Sequence, residues 1–244
     1  MGILYIISTP IGNLSDITFR ALDLLRECDI ILCEDTRITG KMLYHFQISK
    51  KMISFYQQKE KTAIPHIINL LKDGNQNIAL VTDNGTPTIS DPGYKLVQSC
   101  YENNIEVFPV PGPSACIAAL SVSGISADSF YFVGFLPKKP GKKTKMLQYC
   151  KRVNGALIFY ESPFRLIKTL EAMIGVFGEN SIVFIARELT KKFEEKKKGS
   201  LLEIHDYFSR KSVKGEIVII LDNYKKKFML EHKDDENETD EWVD

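Results

Sequence analysis

The sequence predicts two α/β domains in series, the first on a mostly parallel sheet and the second on a mixed one. Three observations carry that expectation. Short apolar runs alternate with helical periods through the first half of the chain. Such alternation builds parallel sheets covered on both faces. A stretch of small residues, Ser123-Gly124-Ile125-Ser126-Ala127-Asp128-Ser129, then interrupts the pattern like a linker. Beyond it helices are fewer and strand edges more polar, which suits a mixed sheet. The boundary falls near 112–128, giving domains at 1–120 and 121–224 with a cleft between them.

In order, strands are expected at Leu4–Ile7, Ile30–Cys33, Met52–Phe55, Ile78–Val81 and Glu106–Val110. Each is a four- or five-residue apolar run. Helices are expected between them at Ile17–Cys28, Gly40–Phe46, Ile64–Lys72 and Tyr94–Glu102. A further helix starts at Pro113 or Ser114, because proline suits a first helical turn and serine a cap. In the second half, strands are expected at Phe130–Val133, Ala156–Tyr160, Ile182–Ala186 and Glu216–Leu221. Helices fit Lys142–Lys151, Phe164–Phe177 and Leu201–Phe208. From Glu231 to Asp244 eight acidic residues stand against one lysine. Such a segment buries little, so 225–244 is expected to be a disordered charged tail.

Bulk properties narrow the class. The chain is 44% hydrophobic and 26% charged, ordinary for a globular protein, with a net charge of +1. Any nucleic-acid contact must therefore come from local basic patches. The five cysteines, Cys28, Cys33, Cys100, Cys116 and Cys150, form no CxxC pair and sit in apolar runs. They are expected to be reduced, buried thiols of a cytoplasmic protein. His45, His66, His205 and His232 are scattered, so no metal site is expected. No signal peptide and no membrane span are expected.

The most informative stretch is Thr82-Asp83-Asn84-Gly85-Thr86-Pro87-Thr88-Ile89-Ser90-Asp91-Pro92-Gly93-Tyr94. It joins an expected strand to an expected helix, yet a plain turn there takes only a few residues. A long loop stiffened by glycine and proline at a strand's carboxyl end is where α/β proteins place ligands. Five more marked loops follow strands. They are Ser8-Thr9-Pro10-Ile11-Gly12-Asn13, Glu34-Asp35-Thr36-Arg37, Pro109-Val110-Pro111-Gly112-Pro113-Ser114, Tyr160-Glu161-Ser162-Pro163 and Ala186-Arg187-Glu188. Proline and glycine also punctuate ordinary turns. Parallel strands, however, would gather these loops at one edge. The phosphate-loop and GxGxxG patterns are absent. Rigid backbone open to close approach suits a neutral or zwitterionic ligand, of which adenosine carrying a methionine chain is one.

The segments TPIGNLSDIT, EDTR, TDNGTPTISDPGY, PVPGPSA, GFLP, FYESPFR, ARELTK and KGEI occur in this order. Together they resemble the ribosomal RNA small subunit methyltransferase I family, of the wider tetrapyrrole-methylase-like class. The resemblance spans about residues 3–222. It implies two α/β domains of the tetrapyrrole methylase type, S-adenosylmethionine in the interdomain cleft and a homodimer. It also implies 2′-O-methylation of a cytidine ribose in the decoding centre of 16S rRNA. Motif matching puts cofactor contacts at Pro10, Gly12, Asp83, Gly85, Thr86, Pro87, Ile89, Ser90, Ser114, Ala115, Tyr160, Ala186 and Gly215.

A ribose hydroxyl is a poor nucleophile at neutral pH, so a base or an alkoxide-stabilising group would help. The candidates are Glu34, Asp35, Arg37, Glu161, Arg187 and Glu188; the same charges would equally fix the loops as ion pairs. Lys138, Lys139, Lys142, Lys143, Lys145, Lys151 and Arg152 lie within 137–152 with no acid among them. Lysines on a helix are often a solvated face, but this run follows GFLP. Lys41, Lys138, Lys139, Lys142, Lys143 and Arg165 are the candidate phosphate contacts. Lys191, Lys192, Lys196, Lys197 and Lys198 form a second basic cluster. Ile38, the 55–60 segment with Gln57 and Gln58, and Phe164 depart from the family pattern on the expected RNA side. Asn84 and Pro113 replace small residues. Two other readings remain: a tetrapyrrole C-methyltransferase, and a non-catalytic RNA-binding assembly factor.

Overall fold

The computed structural model describes residues 1–225, so the acidic tail lies outside the described residues. The chain divides into two compact units, one spanning Met1–Ala115 and the other beginning at Cys116.

The first unit holds β1 (Leu4–Ile7), α1 (Phe19–Glu27), β2 (Ile30–Cys33), α2 (Thr36–His45), β3 (Lys51–Ser54), α3 (Gln57–Lys72), β4 (Ile78–Leu80), α4 (Tyr94–Glu102) and β5 (Val107–Val110). The sheet order is β3-β2-β4-β1-β5, and every pairing is parallel. Residue alternation along each strand sorts the core into two faces. Leu4, Ile30, Leu32, Ile78 and Leu80 pack with Ile67 and Leu71 of α3 and with Leu96 and Cys100 of α4. Ile7, Ile31, Cys33, Ala79 and Val81 pack with Ala21 and Leu25 of α1 and with Met42 and Leu43 of α2. The expected parallel sheet covered on both sides is thus observed.

The second unit holds α5 (Ala115–Ser121, beginning at the unit boundary), β6 (Phe130–Phe135), α6 (Pro140–Cys150), β7 (Ala156–Glu161), α7 (Leu166–Phe177), β8 (Ile182–Arg187), β9 (Glu195–Ser200), α8 (Leu201–Ser209) and β10 (Ile217–Asp222). Its order is β6-β7-β10-β8-β9, with β6 and β7 parallel and the other pairs antiparallel. The mixed sheet packs Leu157, Phe159, Val183, Ile185, Ile217 and Ile219 against α6, α7 and α8. Ser200 and Glu203 form a capping box at the start of α8.

Three differences from expectation have physical causes. Helix α3 begins at Gln57, not Ile64, and keeps Pro65 inside it. Its first turn is polar, but Glu60 points inward and accepts the Gly93 N–H at 3.0 Å. Helix α2 begins at Thr36, because the Asp35 side chain caps it by accepting the Arg37 N–H at 2.8 Å. Strand β9 has no apolar alternation and went unforeseen. It is an edge strand held by its ladder to β8, and lysines on an edge discourage further pairing. All five cysteines are buried thiols. Among the described residues no helix is long and apolar enough to cross a membrane, and no His/Cys/Asp/Glu cluster fits a metal.

Candidate functional site

Because the first sheet is wholly parallel, the loops after β1, β2, β4 and β5 leave from one edge. They are tied to one another. Thr9 N–H donates to Gly85 O at 2.8 Å, and Gly85 N–H returns a bond to Thr9 O at 3.1 Å. The Thr9 hydroxyl donates to Thr82 O at 2.9 Å. The Ser8 and Thr86 hydroxyls meet at 3.0 Å, and Thr86 Oγ1 donates to Pro113 O at 3.2 Å. A Cβ on Gly112 would stand 2.9 Å from Ser8 Cβ, so glycine is needed for that approach. Gly85 has φ +88°, and Thr88 and Ser90 hold positive φ of 73° and 67°. Side chains rarely adopt that region, and such strain gathers at ligand sites. Pro10, Gly12, Asp83, Pro87, Ile89, Ser114 and Ala115 all belong to these cross-tied loops or their flanks.

Carboxylates crowd the same edge. Asp83 Oδ1 accepts the Asp35 N–H at 3.2 Å. The Thr82 hydroxyl lies 3.5 Å from Glu34 Oε2 and also bonds the Asp91 carboxyl. Burial pushes the Asp91 carboxyl up to about 6, and the charges of Glu34 and Asp83 add to it against the Thr82 bond. Burial likewise raises Glu34 and Asp83, each helped by neighbouring carboxylates. Asp35 behaves oppositely: the Arg37 side chain holds it down at about 2. Arg37 Nη2 sits 2.6 Å from Asp35 Oδ2, and Lys41 is exposed further along α2. Asp91 and Thr82 were not singled out from sequence. The signal was their place in the long loop, but nothing local separates an inward aspartate from a solvated one.

In the second sheet β6, β7 and β8 run the same way, so their carboxyl ends share an edge. Tyr160 and Ala186 flank Val218 in one register row, and Gly215 precedes β10. Gly215 has φ +91°, and an added Cβ would collide with Glu188 at 2.3 Å. Glu188 Oε1 accepts from Lys191 Nζ at 2.9 Å and from Glu216 N–H at 3.0 Å. Burial opposes its ionisation, but those bonds prevail and hold it below the usual range. Arg187 donates to Glu195 at 2.7 Å and to the carbonyls of Lys214 and Phe193. Both residues are committed to neighbours in their own unit.

Glu161 and Arg165 are also committed. The Glu161 side chain has no exposed surface and accepts from the Thr169 hydroxyl at 2.6 Å and the Ser162 N–H at 2.8 Å. Arg165 Nε lies 3.3 Å from Glu161, and its Nη2 donates to Leu136 O at 2.7 Å. Lys143 departs from its expected role as an exposed phosphate contact. It turns inward at 6% exposure and donates to Thr169 Oγ1 at 2.8 Å, burial lowering its pKa. Lys138, Lys139 and Lys142 stay exposed. The helical spacing that places Lys142 outward carries Lys143 round to the core face.

A family profile for Tetrapyrrole (Corrin/Porphyrin) Methylases matches residues 3–205. Ribosomal RNA small subunit methyltransferase I of Thermotoga maritima is 46% identical over 221 residues, 91% of this chain and 98% of that protein. The protein of the same description from Vibrio cholerae is 47% identical over 226 residues, 91% and 78% of the two chains. Among solved structures, uroporphyrin-III-C-methyltransferase from Thermus thermophilus superposes with a TM-score of 0.64 at 15% identity, covering 94% of this chain and 99% of that one. The cobalt precorrin-4 methyltransferase structure gives 0.62 at 14% identity, over 89% and 93%. At such identities the likeness speaks for fold alone.

Proposed function

The chain belongs to the tetrapyrrole methylase family and, within it, to the ribosomal RNA small subunit methyltransferase I family, and we infer from this that it transfers a methyl group from S-adenosylmethionine to 16S rRNA of the small ribosomal subunit. More finely, we propose the ribose 2′-oxygen of a decoding-centre cytidine as acceptor, a homodimer as the working form and the cytoplasm as its location. The observation that carries the reading is the cross-tied set of loops at the carboxyl edge of the first sheet. It offers fixed backbone N–H and C=O groups, glycines where a Cβ would intrude, and several partly buried carboxylates.

That donor set fits S-adenosylmethionine. Glu34, Asp83 and Asp91 have few cations to offset them, so a ligand carrying positive charge is favoured there. Pro10, Gly12, Gly85, Thr86, Pro87, Ile89, Ser90, Ser114 and Ala115 would hold it, and Tyr160, Ala186 and Gly215 belong to the same proposal. Bound S-adenosylmethionine would supply an activated methyl group to the ribose oxygen. The protein's main task is alignment, which is worth several kcal/mol or more.

Glu34 is the proposed proton acceptor. It is half-buried at the edge with a raised pKa, whereas Asp35 is held ionised by Arg37. A base titrating nearer neutrality accepts a proton more readily. Asp83 positions the backbone of the Glu34 loop through the Asp35 N–H. Glu161, Arg187 and Glu188 serve as positioning residues, since their polar atoms are already paired. Glu34→Gln is expected to lower kcat about a hundred-fold, with S-adenosylmethionine still bound, though more weakly, by titration calorimetry. Full activity in that variant would remove Glu34 from the mechanism. No cofactor binding by the unaltered protein would overturn the methyltransferase reading.

A further inference from the structure

We propose that Phe164 is a stacking platform for an unpaired RNA base, with Lys138 and Lys139 beside it contacting the adjoining phosphates. This deepens the rRNA reading and rests on it. Phe164 is 92% exposed, more than any other large hydrophobic side chain described. It contributes nothing to the core of its unit. Covering such a ring with a base would remove apolar surface from water, which is favourable.

Its backbone is nevertheless fixed. Pro163 precedes it, Ser162 N–H is held by Glu161, and Arg165 N–H donates to Ser162 O at 3.0 Å. Below the turn the buried chain Lys143–Thr169–Glu161–Arg165 locks both of its ends. The ring is therefore presented on a rigid turn rather than a wandering loop. A preorganised aromatic loses little freedom when a base covers it.

The charge around it selects a polyanion. β6 and β7 are parallel neighbours, so the segments that follow them leave from one edge. Arg165 Nη2 bonds Leu136 O at 2.7 Å and Pro137 O at 3.4 Å, tying the Phe164 turn to the residues just before Lys138 and Lys139. Both lysines are exposed, as is Lys142, and no acid occurs from 137 to 152. Phe135, 58% exposed at the end of β6, packs edge-on to Tyr160 and adds a second aromatic at this edge. Exposed aromatics flanked by lysines recognise single-stranded RNA by stacking and phosphate contact.

The test uses small ribosomal subunits lacking the modification, with S-adenosylmethionine, and compares the unaltered protein with Phe164→Ala, Phe164→Tyr and the pair Lys138→Ala with Lys139→Ala. Phe164→Ala is expected to raise KM for the subunit roughly ten-fold, as loss of one stacked base does. Its kcat, melting temperature and cofactor affinity should stay close to the original, and Phe164→Tyr should restore KM. The salt dependence of binding should be unchanged in Phe164→Ala and shallower in the double lysine variant. Ultraviolet cross-linking of the unaltered protein should yield a nucleotide adduct at residue 164. An unchanged KM in Phe164→Ala, failure of tyrosine to restore it, or a cross-link to a ribosomal protein in place of RNA would overturn the proposal. Subunit RNA left unmethylated by the unaltered protein would instead defeat the underlying rRNA reading.

Discussion

Asp91 and Glu161 are both inward carboxyls, but their surroundings make opposite demands. Asp91 sits among other carboxylates with a pKa of about 6. An acid whose folded pKa lies above its unfolded value of about 3.9 disfavours the fold once ionised. That cost is absent below pH 4, grows as pH rises through 6 and is complete above it. Asp91→Asn should therefore gain on the unaltered protein by roughly 1 kcal/mol between pH 4 and 8, solvent screening having been discounted. Urea unfolding across that range reads it, and parallel stability curves would show that Asp91 does not titrate in the folded cluster. Glu161 instead accepts from Thr169, Ser162 and Arg165. Glu161→Ala would leave those donors without their acceptor and the inward Lys143 without its nearby counter-charge, at a cost of about 3 kcal/mol. A loss under about 0.5 kcal/mol, the range of ordinary surface changes, would mean that the network is not coupled to folding. None of this was legible in the sequence. Glu161 reads the same whether its partner is a substrate or Thr169, because the partner comes from a helix eight residues on.

Elements were legible where apolar period and burial coincide. β1 and β2 pack on both faces, so each reads as a continuous apolar run with sharp ends, and α4 shows an apolar stripe between Gly93 and Asn103. Legibility failed where backbone bonding, not burial, makes the element. β9 consists of Glu195-Lys196-Lys197-Lys198-Gly199-Ser200, and only its ladder to β8 defines it. The first turn of α3 was hidden because its inward residue is Glu60, bonded to Gly93. The capping box gives a direct check at this scale: Ser200→Ala should cost about 1 kcal/mol in urea unfolding, and no change would mean that the cap is dispensable. The loops make a second. Gly112→Ala forces its Cβ against Ser8 Cβ, so the β1 and β5 loops must part. Cofactor affinity should fall at least ten-fold by calorimetry while far-UV circular dichroism is kept. Unimpaired binding would separate this contact from the cofactor site.

At the scale of the whole molecule, six marked loops reduce to two sheet edges. The first edge gathers the loops after β1, β2, β4 and β5 through hydrogen bonds. The second gathers the two after β7 and β8, beside the segment that follows β6, because those strands run one way. The sequence order of motifs pointed to this convergence, since parallel α/β units put successive loops on one side. The sequence could not say which charges would remain free at those edges. Arg165, Arg187, Glu188 and Lys143 look like substrate contacts in a string of letters, but each is satisfied within its own unit. Exposed basic charge lies instead on residues such as Lys138, Lys139 and Lys142, in the same unit as Phe164. The proposed activity is methyl transfer to a ribose of small-subunit RNA, directed from the carboxyl edge of the first sheet. It is tested most directly by incubating unmodified small subunits with the purified protein and S-adenosylmethionine, then mapping ribose methylation along the whole RNA. One new 2′-O-methylcytidine is expected in the decoding centre, absent when Glu34→Gln replaces the unaltered protein for the same short incubation. Methyl groups on base carbons or nitrogens, or RNA left unmodified while the protein binds cofactor, would contradict it.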